Sequence, residues 1–89
     1  RRALMMELLN GIPSLNASEP EGAFYVMVDV RETGMNATVF AQRAMEEARV
    51  QVIPLDSLPG GEGFVRLSYA AEDDVIEEGL ARLKDWLSQ

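Results

Sequence analysis

The sequence predicts one α+β domain of three helices and three short strands in the order α-β-α-β-β-α. Apolar residues recur at helical spacing in three segments: 2–10, 37–49 and 72–87. Runs rich in β-branched and aromatic residues mark the strands: 23–30, 50–53 and 63–70. Because the first two strands enclose a helix, we expect a right-handed crossover that makes them parallel, with the third strand antiparallel and between them. The predicted architecture is a small three-stranded mixed sheet of the split β-α-β type, with helices packed mainly on one face.

The first third of the chain contains one helix, one loop and one strand. The helix ends at Asn10 and Gly11, where glycine can adopt the left-handed conformation. Residues 12–22 are rich in turn formers and predict a loop. Residues 23–30 form a strand that is apolar on both faces apart from Asp29, so we expect a packed layer over each face.

The second and third helices have recognisable starts. Either Asn36 or Thr38 can cap the second helix, and acids in the first turn of the third helix complement its dipole. Gly79 lies beside the apolar stripe of the third helix, where we expect it to permit close packing against the sheet. The stripes predicted to be buried are Val39, Phe40, Ala44, Met45 and Ala48, followed by Val75, Ile76, Leu80, Leu83, Trp86 and Leu87.

The composition argues against several classes of function. The 89 residues carry a formal net charge of -7, from 15 acids and 8 bases, which opposes binding to nucleic acid or to an anionic membrane. The sequence contains no cysteine, which removes disulfides and thiolate nucleophiles and fits a cytoplasmic protein. It contains no histidine, the commonest general base and metal ligand. The chain opens on Arg1 and Arg2 inside a helical pattern without a cap, so we expect it to be part of a longer chain.

The third strand contains the most informative residue. Strand alternation places Arg66 on one face with Phe64 and Ser68, and leaves Val65 and Leu67 for the core. A guanidinium in mid-strand is costly to bury without an anionic partner. Two interpretations follow. Arg66 either pairs with one of the chain's own carboxylates or reaches water, or it presents a fixed fork of donors to a ligand carboxylate.

Other candidate sites are weaker. The acidic clusters at residues 46–47, 72–74 and 77–78 lack the spacing of a calcium loop and are typical of solvated helix faces, so no metal site is expected. Residues 60–63 enter a strand and lack a following Lys-Ser or Lys-Thr, which predicts a flexible turn rather than a phosphate-binding loop. Lys84, the only lysine, lies on an amphipathic helix and not in the desolvated pocket that a Schiff-base lysine requires.

Several segments occur in the order and at the intervals of a known family. They are Arg1-Arg2 with the leucine stripe that ends at Asn10, residues 20–25, residues 50–54 and residues 63–68. Together they resemble the C-terminal small domain of class I/II (fold-type I) pyridoxal-phosphate aminotransferases, of the aspartate aminotransferase type. The resemblance covers nearly the whole chain and depends on the ordered set rather than on any one segment.

The resemblance implies amino-group transfer between an amino acid and a 2-oxo acid. In that family the arginine of the Arg-Leu-Ser strand binds the α-carboxylate of the substrate, and Arg66 matches that position. An aromatic residue of the first strand lies near that carboxylate, which implies Phe24, with Tyr25 beside it. The cofactor, pyridoxal 5'-phosphate, and its Schiff-base lysine belong to the family's large domain. The resemblance therefore implies no catalytic or cofactor-binding residue in this chain, which alone should be inactive, and a cytoplasmic, homodimeric parent.

One stretch departs from the family, and other functions stay open. The family usually has glycine after the proline that ends the second strand, whereas here Pro54 is followed by Leu55. Leu58-Pro59 stands where the family usually has Phe-Gly, in a loop that normally lies along the active site. The substrates of the parent are therefore not specified, and related lyases or synthases share this domain. From the residues alone, a stand-alone α+β module that binds an amino acid or a partner through a free sheet face, or a dimerisation domain, remains an alternative.

Overall fold

A computed structural model describes residues 2–17, 25–68 and 72–89, and it confirms the α+β class. Its main elements are α1 (Arg2–Asn10), β1 (Asn16–Ala17), β2 (Tyr25–Asp29), α2 (Ala37–Arg43), β3 (Ile53–Pro54), β4 (Phe64–Ser68) and α3 (Asp73–Leu87). A short 3₁₀ helix, Arg31–Thr33, precedes α2, and a π-helical turn, Ala44–Ala48, continues it. Asn36 caps α2 through its Oδ1, which accepts a hydrogen bond from the backbone N–H of Val39 at 2.8 Å.

The strands form one sheet in the order β1-β2-β4-β3, and each neighbouring pair is antiparallel. The last strand, β4, lies between the two strands that enclose α2. The predicted three-stranded mixed sheet is wrong in strand count, because a fourth strand, β1, adds to one edge and changes the element order. The predicted position of the last strand is confirmed, since β4 is antiparallel to β2 and β3 and lies between them. No parallel pair of neighbours therefore occurs among the strands that the structure describes.

The extra strand lies in the segment that the sequence predicts as a loop. Asn16 pairs with Asp29 and Ala17 with Val28. The Asn16 side chain also donates from Nδ2 to Oε2 of Glu32 at 3.1 Å. Two residues are too few for an alternating pattern, so nothing in the local sequence indicates this strand.

One face of the sheet carries the core. The largest fully buried side chains come from α1, α2, α3, β2, β4 and the residue after β2: Phe40, Leu9, Leu83, Val26, Val28, Val30 and Val65. The other face, here called the open face, consists of Tyr25, Met27, Asp29, Ile53, Phe64, Arg66 and Ser68, all of which are half-buried or exposed. Among the described residues, the packed layer predicted over both faces of β2 is present on the core face only, because the described helices pack against that face.

Three apolar residues predicted to be buried lie at the surface instead. Val39, Met45 and Val75 are 38%, 47% and 57% exposed. Gly79 also departs from expectation, since a Cβ at this position would meet no atom within 4 Å, so it does not permit close packing against the sheet. Hydrophobic spacing identified the correct helices but overestimated the width of their buried stripes.

Arg82 of α3 binds the end of the π-helical turn. The backbone N–H groups of Arg49 and Val50 both donate to the carbonyl of Ala44, and Arg49 adopts a left-handed conformation with φ 58°. Arg82 donates from Nε to the carbonyl of Ala48 at 3.0 Å and from Nη2 to the carbonyl of Arg49 at 3.1 Å. The guanidinium thus satisfies carbonyls that the helix end leaves without partners and places positive charge at the negative end of the dipole.

The β3–β4 loop is more tightly held than the sequence predicts. The carboxylate of Asp56 accepts hydrogen bonds from the backbone N–H of Gly63, the backbone N–H of Thr38 and the hydroxyl of Thr38. Gly61 packs so closely against Leu55 that a Cβ at Gly61 would overlap the Leu55 carbonyl. These contacts replace the flexible turn predicted from the glycines alone.

Candidate functional site

Arg66 occupies the middle of the central strand β4. It lies opposite Met27 of β2 and Ile53 of β3. Its chain neighbours, Val65 and Leu67, are 0% and 4% exposed, so the alternation of strand side chains directs Arg66 to the open face. The predicted assignment of these residues to opposite faces is confirmed.

Arg66 forms no ion pair with a carboxylate of the described residues. The ion pairs of the described segments join Arg31 to Asp29, Arg43 to Glu47 and Arg82 to Glu78. The Nε of Arg66 is buried and has no hydrogen-bond partner in the structure. Within residues 2–17, 25–68 and 72–89, the interpretation of Arg66 as half of an internal ion pair therefore has no support.

The guanidinium of Arg66 lies over the ring of Tyr25. The Cζ atom is 4.3 Å from the ring centroid, within the range of a cation–π contact. Both side chains line a surface cavity of about 270 Å³, together with Gln51, Ile53 and Ser68. Among the described residues, the lining carries one cation, an amide and two hydroxyl groups but no carboxylate, so their electrostatic character favours an anionic group.

The second arginine on this side of the sheet has a different environment. Arg31 donates from Nε to Oδ1 of Asp29 at 3.0 Å and from Nη2 to Oδ2 of the same carboxylate at 2.6 Å. Its Cζ lies 5.7 Å from the ring centroid of Phe64. The hydrogen bonds from Arg31 lower the pKa of Asp29 below its ordinary value. Arg31 is therefore neutralised within the chain, whereas no such neutralisation of Arg66 is present in the described segments.

The structure brings two of the three predicted site residues together. Arg66 and Tyr25 are in contact, whereas Phe24 lies outside the described residues. Sequence analysis did not identify Gln51 and Ile53 as part of the cavity. Because Ile53 pairs with Arg66, the period of two along the segment places Gln51 toward the same face, and a polar residue in an otherwise apolar run was the available signal.

The other features considered in the sequence are a metal site, Lys84 and a membrane-spanning helix. They contain no group of three or more acidic side chains arranged to hold a metal ion. Lys84 lines a different cavity, with Ile12, Pro13 and Leu87, and not the cavity of Arg66. None of the described helices has the length and hydropathy needed to cross a membrane.

Known proteins resemble this chain in sequence and in fold, although no protein-family model matches it. An aspartate aminotransferase from Pyrococcus horikoshii is 38% identical over 85 residues, which cover 94% of this chain and 22% of the relative. Aromatic-amino-acid aminotransferase 2 from Thermococcus litoralis is 35% identical over 92 residues, which cover 100% of this chain and 23% of the relative. The crystal structure of an aromatic aminotransferase from Pyrococcus horikoshii superposes with a TM-score of 0.90 and 36% identity, over 98% of this chain and 23% of that one.

The chain aligns with the small C-terminal domain of fold-type I, aspartate aminotransferase-like proteins. The resemblance predicted from the sequence is therefore confirmed. The crystal structure of an aspartate aminotransferase from Thermotoga maritima matches 99% of this chain, with a TM-score of 0.85 and 33% identity, and is itself covered over 22% of its length. The chain thus spans little more than a fifth of the relatives that it matches.

Proposed function

We propose that this chain is the substrate-clamping small domain of a pyridoxal-phosphate-dependent aminotransferase, in which Arg66 binds the α-carboxylate of the amino-acid substrate. The observation that carries the proposal is a guanidinium that a central strand holds on the open face, without an ion-pair partner in the described segments. The aminotransferase names of the relatives supply the substrate class, an amino acid and a 2-oxo acid.

The role of Arg66 in this proposal is to bind and orient. A guanidinium donates two parallel hydrogen bonds to a carboxylate, which fixes the orientation of the carboxylate as well as its position. Because β4 is hydrogen-bonded on both sides, the backbone that carries this group is rigid. Fixing one end of the amino acid aligns its amino group for reaction and reduces the entropic part of the barrier.

The residues of the described chain do not fit the cofactor. Pyridoxal phosphate supplies the chemistry of amino-group transfer when it is bound, and it requires a lysine. The cavity beside Arg66 contains none, and Lys84 lies in another cavity. We therefore assign the cofactor to the large domain of the parent and expect the 89-residue chain alone to be inactive.

The open face is the surface that we expect the large domain to contact. Tyr25 and Ile53 are 42% and 41% exposed there, next to Arg66. In a parent enzyme, cytoplasmic and homodimeric as the resemblance implies, a large domain would cover this face when substrate is bound. Closure of the small domain would then exclude water from the carboxylate and strengthen its hydrogen bonds.

The substitution Arg66→Leu in the full-length enzyme that carries this segment tests the proposal. Cofactor absorbance should remain unchanged, while kcat/KM should fall roughly 30- to 5,000-fold, which corresponds to the loss of about 2–5 kcal/mol for a desolvated charge pair. Arg66→Lys keeps the charge but removes the planar fork and should give an intermediate loss.

Arg31→Leu is the matched control, because it removes the same type of side chain from the same side of the sheet. Arg31 already binds Asp29, so its loss should leave the KM for the amino acid close to the native value. An unchanged kcat/KM in Arg66→Leu, or an equal loss in both variants, would remove Arg66 from the substrate site.

The alternative is a stand-alone module that binds an amino acid without a large domain. The cavity of about 270 Å³ beside Arg66 favours it, since the cavity is formed by this chain alone. Calorimetric titration of the 89-residue protein with aspartate, alanine and phenylalanine separates the two functions. The aminotransferase proposal predicts no measurable heat of binding at millimolar amino acid, whereas micromolar affinity would support the stand-alone module.

A further inference from the structure

We propose that Tyr25 is a positioning residue for Arg66: its ring fixes the plane of the guanidinium so that the outer nitrogens face the substrate carboxylate. The inference rests on the proposed function of Arg66 and assigns Tyr25 a role through Arg66 rather than as a direct contact to the substrate.

The strand register explains why Tyr25 reaches this position. Tyr25 pairs with Ser68, and Met27 pairs with Arg66, so Tyr25 is the diagonal neighbour of Arg66 on the same face. Diagonal neighbours lie about 7–8 Å apart at the backbone, a distance that an aromatic ring and a long side chain together can bridge. The resulting separation of 4.3 Å between Cζ and the ring centroid shows that the two side chains meet.

An aromatic partner holds a guanidinium in a way that a carboxylate cannot. The carboxylate of Asp29 accepts hydrogen bonds from Nε and Nη2 of Arg31, so that pair of donors is not available to a ligand. The face of the Tyr25 ring instead lies 4.3 Å from Cζ of Arg66 and attracts its positive charge without accepting a hydrogen bond from its N–H donors. Within the described segments, Arg66 is thereby restrained without being neutralised.

The burial of Nε indicates which donors the ligand uses. Nε of Arg66 is buried without a partner, so a carboxylate that enters from the open face cannot reach it. The two Nη nitrogens remain as the donors for an end-on pair of hydrogen bonds. Rotation of the guanidinium out of the plane that Tyr25 sets would misalign both bonds, which is why the ring matters for binding.

Nuclear magnetic resonance of the 89-residue protein tests the contact without reference to activity. A ring stacked on the guanidinium should shift the side-chain Hδ and Hε resonances of Arg66 upfield. Tyr25→Leu should abolish that shift, and Tyr25→Phe should retain it, because Phe keeps the ring and removes only the hydroxyl. Circular dichroism of each variant verifies that the fold is intact.

Kinetics of the full-length enzyme test the consequence. Tyr25→Leu should raise the KM for the amino acid about 3- to 10-fold with kcat changed less than about twofold, as expected for lost binding that ground state and transition state share. Tyr25→Phe, which keeps the ring, should have the native KM. Val75→Ala, which truncates another exposed apolar side chain on α3, should leave both constants unchanged.

The outcomes separate this inference from the function on which it rests. If Arg66→Leu impairs the enzyme and Tyr25→Leu does not, the positioning role is wrong and the function of Arg66 stands. If Tyr25→Phe loses as much as Tyr25→Leu, the hydroxyl contacts the substrate directly and the positioning role is also wrong. If Arg66→Leu has no effect, both proposals fail.

Discussion

Asp56 and Thr38, 18 residues apart, are joined by two hydrogen bonds to a single carboxylate oxygen. Oδ2 of Asp56 accepts from the backbone N–H of Thr38 at 2.9 Å and from its hydroxyl at 3.0 Å, while Oδ1 accepts from the backbone N–H of Gly63 at 2.9 Å. One side chain thus binds the β3–β4 loop to the first turn of α2. This loop is the stretch in which the sequence departs from the aminotransferase pattern.

The Asp56 contacts predict a dependence of stability on pH. The hydrogen bonds from Gly63, followed by those from Thr38, lower the pKa of Asp56 below its ordinary value of 3.8. Folding therefore favours the ionised form, and the stabilisation is complete above the unfolded pKa and lost as the pH falls through the folded pKa. We expect the free energy of unfolding, measured by urea denaturation, to decrease between about pH 5 and pH 2, and to decrease less steeply in Asp56→Asn.

A neutral change in the same loop provides the control for this experiment. Ser57→Ala should give a curve parallel to that of the native protein, because it leaves the Asp56 carboxylate in place. Asp29, whose pKa is lowered chiefly by the side-chain hydrogen bonds of Arg31, adds a slope of the same sign. Identical slopes for Asp56→Asn and the native protein would show that the carboxylate is not held in solution.

Arg49→Gly should stabilise the protein. Arg49 adopts φ 58° and ψ 40°, a left-handed conformation in which a side chain is disfavoured and glycine is not. The carbonyl of Arg49 that Arg82 binds belongs to the backbone and is retained. We expect thermal or urea denaturation to show a gain of about 1 kcal/mol. Arg49→Ala keeps the unfavourable conformation, so a gain of equal size in that variant would locate the effect in the side chain instead.

Gly79→Ala should also stabilise, for a different reason. Gly79 lies inside α3 with a negative φ, and a Cβ there would meet no atom within 4 Å. Alanine should raise the free energy of unfolding by about 0.5–1 kcal/mol through helix propensity alone. Ala81→Gly, at an exposed position of the same helix, should lower it by a similar amount. Destabilisation by Gly79→Ala would indicate that a neighbouring segment fills this space in solution.

Arg82→Met should loosen the end of the π-helical turn. The change keeps an unbranched stem but removes the donors to the carbonyls of Ala48 and Arg49. Because the Arg82 side chain is 43% exposed, we expect a modest loss of about 1 kcal/mol, with faster hydrogen exchange at the amides of Arg49 and Val50. Glu78→Gln removes only the exposed ion pair to Arg82 and should cost less; the reverse order would contradict the capping role.

The sequence was most informative where a regular pattern met a conflicting residue. The alternation of Val65 and Leu67 with polar neighbours identified both the core face of β4 and the side to which Arg66 points. The same reasoning overestimated burial in the helices. Spacing shows where an apolar stripe is centred but not how wide a surface the neighbouring elements cover, so Val39 and Val75 were placed inside.

Other features left no local signal in the sequence. The sequence around Asp56 does not distinguish it from any other acidic residue in a loop, because the three donors that it binds belong to residues 7 and 18 positions away. The indole Nε1 of Trp86 donates to Oε1 of Glu47, 39 residues away, at 2.7 Å, and the ring lies against Phe40 with centroids 5.5 Å apart. Such contacts depend on how the elements pack, which no single segment specifies.

The position of β4 between β2 and β3 also determines when the sheet can be completed during synthesis. During synthesis both flanking strands leave the ribosome first, and neither can complete its ladder until β4 arrives. Such non-local strand pairing is intrinsically slow, because the entropy of closing a long loop is lost before the stabilising contacts form. Arg66, the residue proposed to bind the substrate carboxylate, lies on β4, so on this proposal a chain that ends before β4 lacks the carboxylate site as well as the central strand of the sheet.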